Sequence, residues 1–379
     1  MKRLGLYIHI PFCVKKCNYC DFYSLCHTQE KENEYISALC KHIRNEAPLY
    51  EEYEFDTIFV GGGTPSILSV DSFNSLAECV KKHLKLTQGG EFTLEANPGT
   101  LTKEKLLAYK KAGVNRLSIG LQSTNDGELL CLSRVHTKNT FEKSYHLARE
   151  CGFDNISVDI MYGLPNQTTE DFIKTLDHVC EINPEHISAY CLKIEENTPF
   201  GKRINDLSLP SDEQEYEMYI TLCQRLKEKG YLQYEISNFS KDGYRSRHNL
   251  KYWQSEEYIG FGPASHSYFD GIRYSYPRDI ELYVKESELG KPTKESEEQL
   301  EPELHMEQMD EYVMLKLRLV DGIDEAEFKS IFGFDFLAEY SKIEKYIKSG
   351  HVSRQNGKIS FTPSGFFVSN YILTEILHI

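Results

Sequence analysis

Leu4-Gly5-Leu6-Tyr7-Ile8-His9-Ile10-Pro11-Phe12-Cys13-Val14-Lys15-Lys16-Cys17-Asn18-Tyr19-Cys20-Asp21-Phe22 carries an apolar run that ends at a proline and passes straight into three cysteines. The run has the length and side-chain content of a buried strand. Cys13-x3-Cys17-x2-Cys20 then places three thiols in the loop that follows it. Three thiolates from one short loop can bind three irons of a cubane and leave the fourth iron without a protein ligand. Structural zinc takes four protein ligands, usually in two close groups, and no second pair with such spacing lies nearby. The other cysteines of the 11 are scattered, which suits buried thiols in a reducing compartment better than a disulfide framework.

Working outward, the pattern repeats. Strand-like runs at 4–10, 57–60, 91–95, 116–121, 155–160 and 186–193 alternate with helical periodicity near 30–47, 71–86, 102–112, 137–151 and 169–182. Ser69 or Asp71, Thr100 or Thr102, and Thr168 followed by Glu170-Asp171 supply helix N-caps. Near-continuous hydrophobicity in several runs predicts strands buried on both faces of a parallel sheet. The fold class is therefore α/β, a partial (β/α)6 TIM-like barrel. Unusual residues collect after the strands: Cys13, Gly61-Gly62-Gly63-Thr64-Pro65, Glu95-Ala96-Asn97-Pro98, Gln122-Ser123, Asp159 with Tyr162-Gly163-Leu164-Pro165, and Lys193-Ile194-Glu195. Carboxyl ends of strands carry the chemistry of such folds, so a site is expected there.

This core is assigned to residues 1–205. An extension follows at 206–290, with a helix over 211–229, the stretch 234–239 and the stretch 248–253. A smaller α+β, winged-helix-like C-terminal domain takes 291–379, because helical patterns there precede Asn356-Gly357 set between alternating residues, a hairpin signal. Residues 294–311, rich in glutamate, read as a solvated connector.

The composition, 40% hydrophobic and 27% charged, suits a folded globular chain. A formal charge of -15 argues against nucleic acid as the main partner. No run approaches the ~20 apolar residues of a spanning helix, and the opening segment lacks the anatomy of a signal peptide. No integral membrane segment and a cytoplasmic location are expected.

Residues 7–22 resemble the cluster loop of the oxygen-independent coproporphyrinogen III oxidase family of radical S-adenosylmethionine (SAM) proteins. Residues 61–66, 95–98, 115–123, 158–165 and 234–239 are similar to further motifs of that family, in the same order. The resemblance implies a [4Fe-4S] cluster on Cys13, Cys17 and Cys20, with SAM chelating the open iron and an electron from the cluster cleaving it to methionine and a 5′-deoxyadenosyl radical. It implies that Gly62, Gly63 and Thr64 approach the methionine end. Glu95, Gln122, Arg134 and Asp159 would hold the amino, ribose and carboxylate groups, while Tyr7 and Tyr19 would line the site. An electron donor such as flavodoxin or ferredoxin belongs to the same expectation.

Two features separate the readings within this family. The decarboxylating oxidases carry a fourth cysteine two positions after the third, where this chain has Phe22, and a longer segment ahead of the cluster loop. His248-Asn249-Leu250-Lys251-Tyr252-Trp253 resembles the His-Asn-x-x-Tyr-Trp motif of HemW-type haem chaperones. That resemblance implies haem bound at His248, since a neutral imidazole is a good axial ligand. Tyr252 and Trp253, the sole tryptophan, would offer flat apolar surface to the macrocycle, and His266 is a second candidate ligand. It further implies delivery of haem to acceptor proteins such as respiratory enzymes. A haem chaperone is the preferred reading, and porphyrinogen decarboxylation is the enzyme alternative. An RNA-modifying enzyme would call for a basic surface or an added module that the sequence does not offer.

Overall fold

In the computed structural model, which describes residues 2–299 and 305–378, the opening strand β1 (Lys2–Ile10) lies inside a 12-stranded sheet. Next to it, in spatial order, run β2 (Tyr53–Gly62), β3 (Leu86–Ala96), β4 (Arg116–Gln122), β5 (Ile156–Tyr162) and β6 (His186–Cys191), each parallel to its neighbour. The connections are helical: α1 (Gln29–Glu46), α2 (Val70–His83), α3 (Lys103–Ala112), the short α4 (Asp126–Cys131) with α5 (Lys138–Glu150), and α6 (Thr169–Ile182). Ser69, Thr102 and Thr168 cap α2, α3 and α6, each accepting the N–H three residues on. Six strands in sequential order, open rather than closed, make the partial barrel that the periodicities predict.

The two faces of this sheet differ. Alternation along each strand puts Leu6, Ile58, Phe92, Leu117, Ile156, Val158 and Ile187 on the face that packs on the helices, in the same core as Leu39, Phe73, Leu106, Phe141 and Phe172. The opposite face carries Tyr7, Phe59, Thr93 and Arg116 side by side in register, then Ser118 beside Ser157 and Asp159 beside Ser188. Both faces are buried, as the near-continuous runs predict, but by different kinds of side chain. The barrel interior holds polar groups that leave cavities, where layers of aliphatic side chains would fill it.

Residues 206–290 feed both edges of the sheet. After α7 (Asp212–Glu228), β7 (Leu232–Gln233) and β8 (Asn238–Ser240) extend it antiparallel beyond β6. After α8 (Arg247–Trp253), β9 (Tyr258–Phe261) pairs parallel with β1, and β10 (His266–Phe269) and β11 (Ile272–Ser275) follow antiparallel. The predicted solvated connector at 294–311 is also corrected: β12 (Ser296–Gln299) pairs with β11, and a helix spans His305–Lys316 with Met309 and Val313 buried. The backbone groups of β11 would otherwise form an open edge, which 296–299 covers. Residues 300–304 of that stretch lie outside the described residues.

The C-terminal segment builds a three-stranded sheet from Ile323–Asp324, Lys358–Phe361 and Val352–Gln355. Asn356 and Gly357, at φ 54° and 75°, make the hairpin turn. It is tied to the barrel through Ile236 N–H to the Arg318 carbonyl (3.0 Å) and Val320 N–H to the Tyr234 carbonyl (3.1 Å). Among the described residues no helix is long and apolar enough to cross a membrane.

Candidate cofactor site at the strand ends

The loop between β1 and α1 is held at three points. Phe12–Cys13 pairs with Leu25–Cys26, so the loop closes on itself. Asn18, between two of the cysteines, donates its backbone N–H to Leu132 (3.1 Å) and its side-chain amide to the Cys131 carbonyl (2.8 Å), and accepts the N–H of Phe200 (2.9 Å). Tyr19 packs on a separate apolar cluster of Leu132, Met161, Leu164, Leu192 and Phe200. The start of the loop is also covered by β2. A Cβ on Gly63 would lie 2.6 Å from the Phe12 carbonyl, and one on Gly62, at φ +109°, would meet the His9 ring at 2.6 Å. Only glycine passes there.

Cys13, Cys17 and Cys20 line a cavity of about 380 Å3 together with Tyr19, Gly62, Gly63, Thr64, Glu95, Gln122, Arg134 and Asp159. One hydrogen-bonded chain links two of the thiols. Cys13 Sγ lies 3.4 Å from Thr64 Oγ1, which accepts the Asn97 amide at 2.7 Å; Asn97 Oδ1 accepts Arg134 Nη2 at 2.5 Å, and Arg134 Nη1 reaches Cys17 Sγ at 3.7 Å. Arg134 also donates to the Gly120 carbonyl at 2.9 Å. Burial works against its charge, but Tyr19 and the cysteines keep its pKa raised. Cys20 is pushed up to about 11, first by burial and then by Cys17 and Cys13, so metal must displace protons to bind. Gln122 sits at a register shift in β4–β5 pairing with a left-handed φ of 70°, the kind of backbone outlier that collects at functional sites.

Below the cysteines lie two acids. Glu95 accepts the Gly62 N–H at 3.1 Å and is pushed up to about 8, by burial and then by Asp159. Asp159, also raised by burial, accepts the Ser118 hydroxyl at 3.0 Å and the Ser157 hydroxyl at 3.3 Å. A second chamber of about 300 Å3 continues from the first, sharing Gly62, Glu95, Ser118, Asp159 and Tyr190 as wall.

Tyr7, His248 and Tyr252 line this inner chamber. His248 is 1% exposed and stacks on Phe59 at 5.3 Å. Its Nδ1 is 2.8 Å from Thr57 Oγ1 and its Nε2 2.8 Å from the Tyr252 hydroxyl. Burial, with Lys251 and Arg116 nearby, pushes its pKa down to about 3, so the ring is neutral. Both ring nitrogens are therefore engaged, and His248 forms a wall. Trp253 lines neither chamber, and His266 is exposed on β10.

The structure thus gathers the three cysteines and most of the predicted SAM residues around one cavity, sets Tyr7 in the inner chamber, and leaves Trp253 and His266 outside. Sequence reasoning missed Asn97 and Asn18. Asn97 could have been found from its place in the Glu95–Pro98 run after β3, and Asn18 from its position between two cysteines. The residues fit an iron–sulfur cluster with a zwitterionic ligand beside it: three soft sulfur donors at one end, a buried cation whose Nε has no partner, Arg134, alongside, and the carboxyl pair opposite.

Comparisons with known proteins place the chain in a family. The radical SAM superfamily model matches residues 7–179 and the HemN C-terminal domain model residues 305–368. The solved structure of coproporphyrinogen III oxidase from Escherichia coli, described as a radical SAM enzyme, has a TM-score of 0.86 at 22% identity, over 100% of this chain and 90% of that one. The heme chaperone HemW of Bacillus subtilis is 35% identical over 376 residues, 98% of either chain, and that of Escherichia coli 41% identical over 266 residues, 69% of either chain. On a full-length likeness of that degree, the chain belongs to the HemW haem chaperone family of radical SAM proteins.

Proposed function

We propose that this protein binds haem in the cytoplasm and passes it to acceptor proteins such as respiratory enzymes, with a [4Fe-4S] cluster and SAM at the strand-end cavity. The observation that carries this reading is Phe22. It stands where the decarboxylating oxidases are expected to carry a fourth cysteine, is 68% exposed, and lines both chambers. With Val14, Val135 and Tyr190, also exposed and also lining the outer cavity, it makes an apolar rim around a polar interior. Such a rim suits a flat apolar ligand with a polar edge.

Cys13, Cys17 and Cys20 would hold the cluster, which when bound to SAM supplies reductive cleavage of a sulfonium. Glu95 and Asp159 would take the amino and ribose groups, Arg134 the carboxylate, and Gly62 and Gly63 would let the backbone approach. A flavodoxin- or ferredoxin-type donor would supply the electron. His248 and Tyr252 would meet haem as the far wall of the inner chamber, because axial ligation by His248 would first require breaking its bond to Tyr252 or to Thr57.

The test is anaerobic reconstitution followed by two assays on one sample: haem titration by absorbance, and coproporphyrinogen III turnover with SAM. Retained haem without vinyl-group formation is expected. Turnover without haem retention would reverse the reading.

A further inference from the structure

Arg116 points from the inner face of β4 into the inner chamber and is 2% exposed. Arginine is rarely buried so fully without a paired anion, and here Nε has no partner. Among the described residues no acid reaches the guanidinium in a hydrogen bond, although its charge acts on both Glu95 and Asp159. Asp159 is held by Ser118 at 3.0 Å and Ser157 at 3.3 Å, Glu95 by the Gly62 N–H at 3.1 Å, and Glu91 by the backbone N–H groups of Arg247 at 2.9 Å and His248 at 3.1 Å. The same chamber presents Ser188 and Asn249 as further polar groups, and Phe59 and Tyr252 as flat walls.

We propose that Arg116 binds a carboxylate of the ligand, which on the haem reading above is one propionate of haem. The guanidinium fork matches a carboxylate in two parallel hydrogen bonds. With Asp159 in the same chamber wall and Arg116 its one lining cation among the described residues, a dianionic phosphate would leave more charge unbalanced there than a singly charged carboxylate does. At about 300 Å3 the chamber lies at the small end of ligand cavities, so it admits a propionate-bearing edge of the macrocycle and not the whole.

The experiment uses the full-length, cluster-reconstituted protein and two probes, haem and haem dimethyl ester, whose propionates are neutral. Wild type is expected to prefer haem over the ester by about ten- to hundredfold, the size of a charge-assisted pair. R116Q is expected to bind haem only as well as the ester, with its melting curve reporting that it folds. R116K, which keeps the charge but not the fork, is expected to fall between the two, and serves if R116Q does not fold. Wild-type preference for haem persisting in both variants, or in R116K alone if only that one folds, overturns the role of Arg116 and leaves the haem reading standing. A wild-type protein that binds neither probe overturns both.

Discussion

Thr64 and Asn97, each just after a strand, and Arg134, just after the short helix α4, join Cys13 to Cys17 through their side chains, so the spacing of two thiols is set by residues far away in sequence. Asn97→Ala removes the middle link and leaves Thr64 and Arg134 each short of a partner. It should cost about 1–3 kcal/mol in the cluster-free protein, read by urea denaturation, and weaken the SAM-induced change in the electron paramagnetic resonance spectrum of the loaded one. Glu95 gives a pH prediction. Its folded pKa, raised to about 8 from 4.5 by burial and Asp159, means that between these values the folded chain keeps a proton that the unfolded chain has lost. Stability contributed by this group is therefore full below the unfolded pKa and falls as pH rises through the folded one. In Glu95→Gln the melting temperature of cluster-free protein should decline less steeply from about pH 5 to 8 than in wild type; identical slopes would assign the decline to other groups.

At the scale of elements, the helix α8 is where two stretches singled out in the sequence meet. The Tyr234 hydroxyl accepts the N–H of Ser246, which caps α8, and is 2.8 Å from His186 Nε2. Glu91 of β3 accepts the next two N–H groups, of Arg247 and His248. Glu91→Ala should therefore destabilise the protein by about 2 kcal/mol or more and speed hydrogen exchange across Arg247–Trp253 while leaving Val70–His83 unchanged. The positions of β4 and α6 were legible to within a residue or two, because local periodicity and a threonine cap define them. The inner polar face was legible in part: Glu91-Phe92-Thr93-Leu94-Glu95 alternates cleanly, and the more continuous apolar runs beside it pointed rightly to burial on both sides but not to polar groups on one of them. The anchoring of α8 was not legible, since its partners come from β2, β3 and the turn before β8. The same holds for Arg116, whose open guanidinium is visible only once Asp159 and Glu91 are seen to take their hydrogen bonds from other residues.

For the molecule as a whole, the C-terminal segment buttresses the barrel extension. Phe367 packs on Tyr216 and Tyr219 of α7 at 5.3 and 6.1 Å, Arg318 and Val320 bond the backbone around Tyr234, and Arg245 lies 3.6 Å from Asp321. A chain ending at residue 299 should keep the six parallel strands but become sensitive to protease between 230 and 256, where the intact chain resists; equal resistance would show that the extension stands alone.

Asn18 has a further consequence. Its bonds to Cys131, Leu132 and Phe200 involve no thiol, so they hold the middle of the cysteine loop without help from iron. Metal insertion can then follow folding, as a late maturation step on a finished template, and a centre destroyed by oxygen can be rebuilt on the same polypeptide without unfolding it.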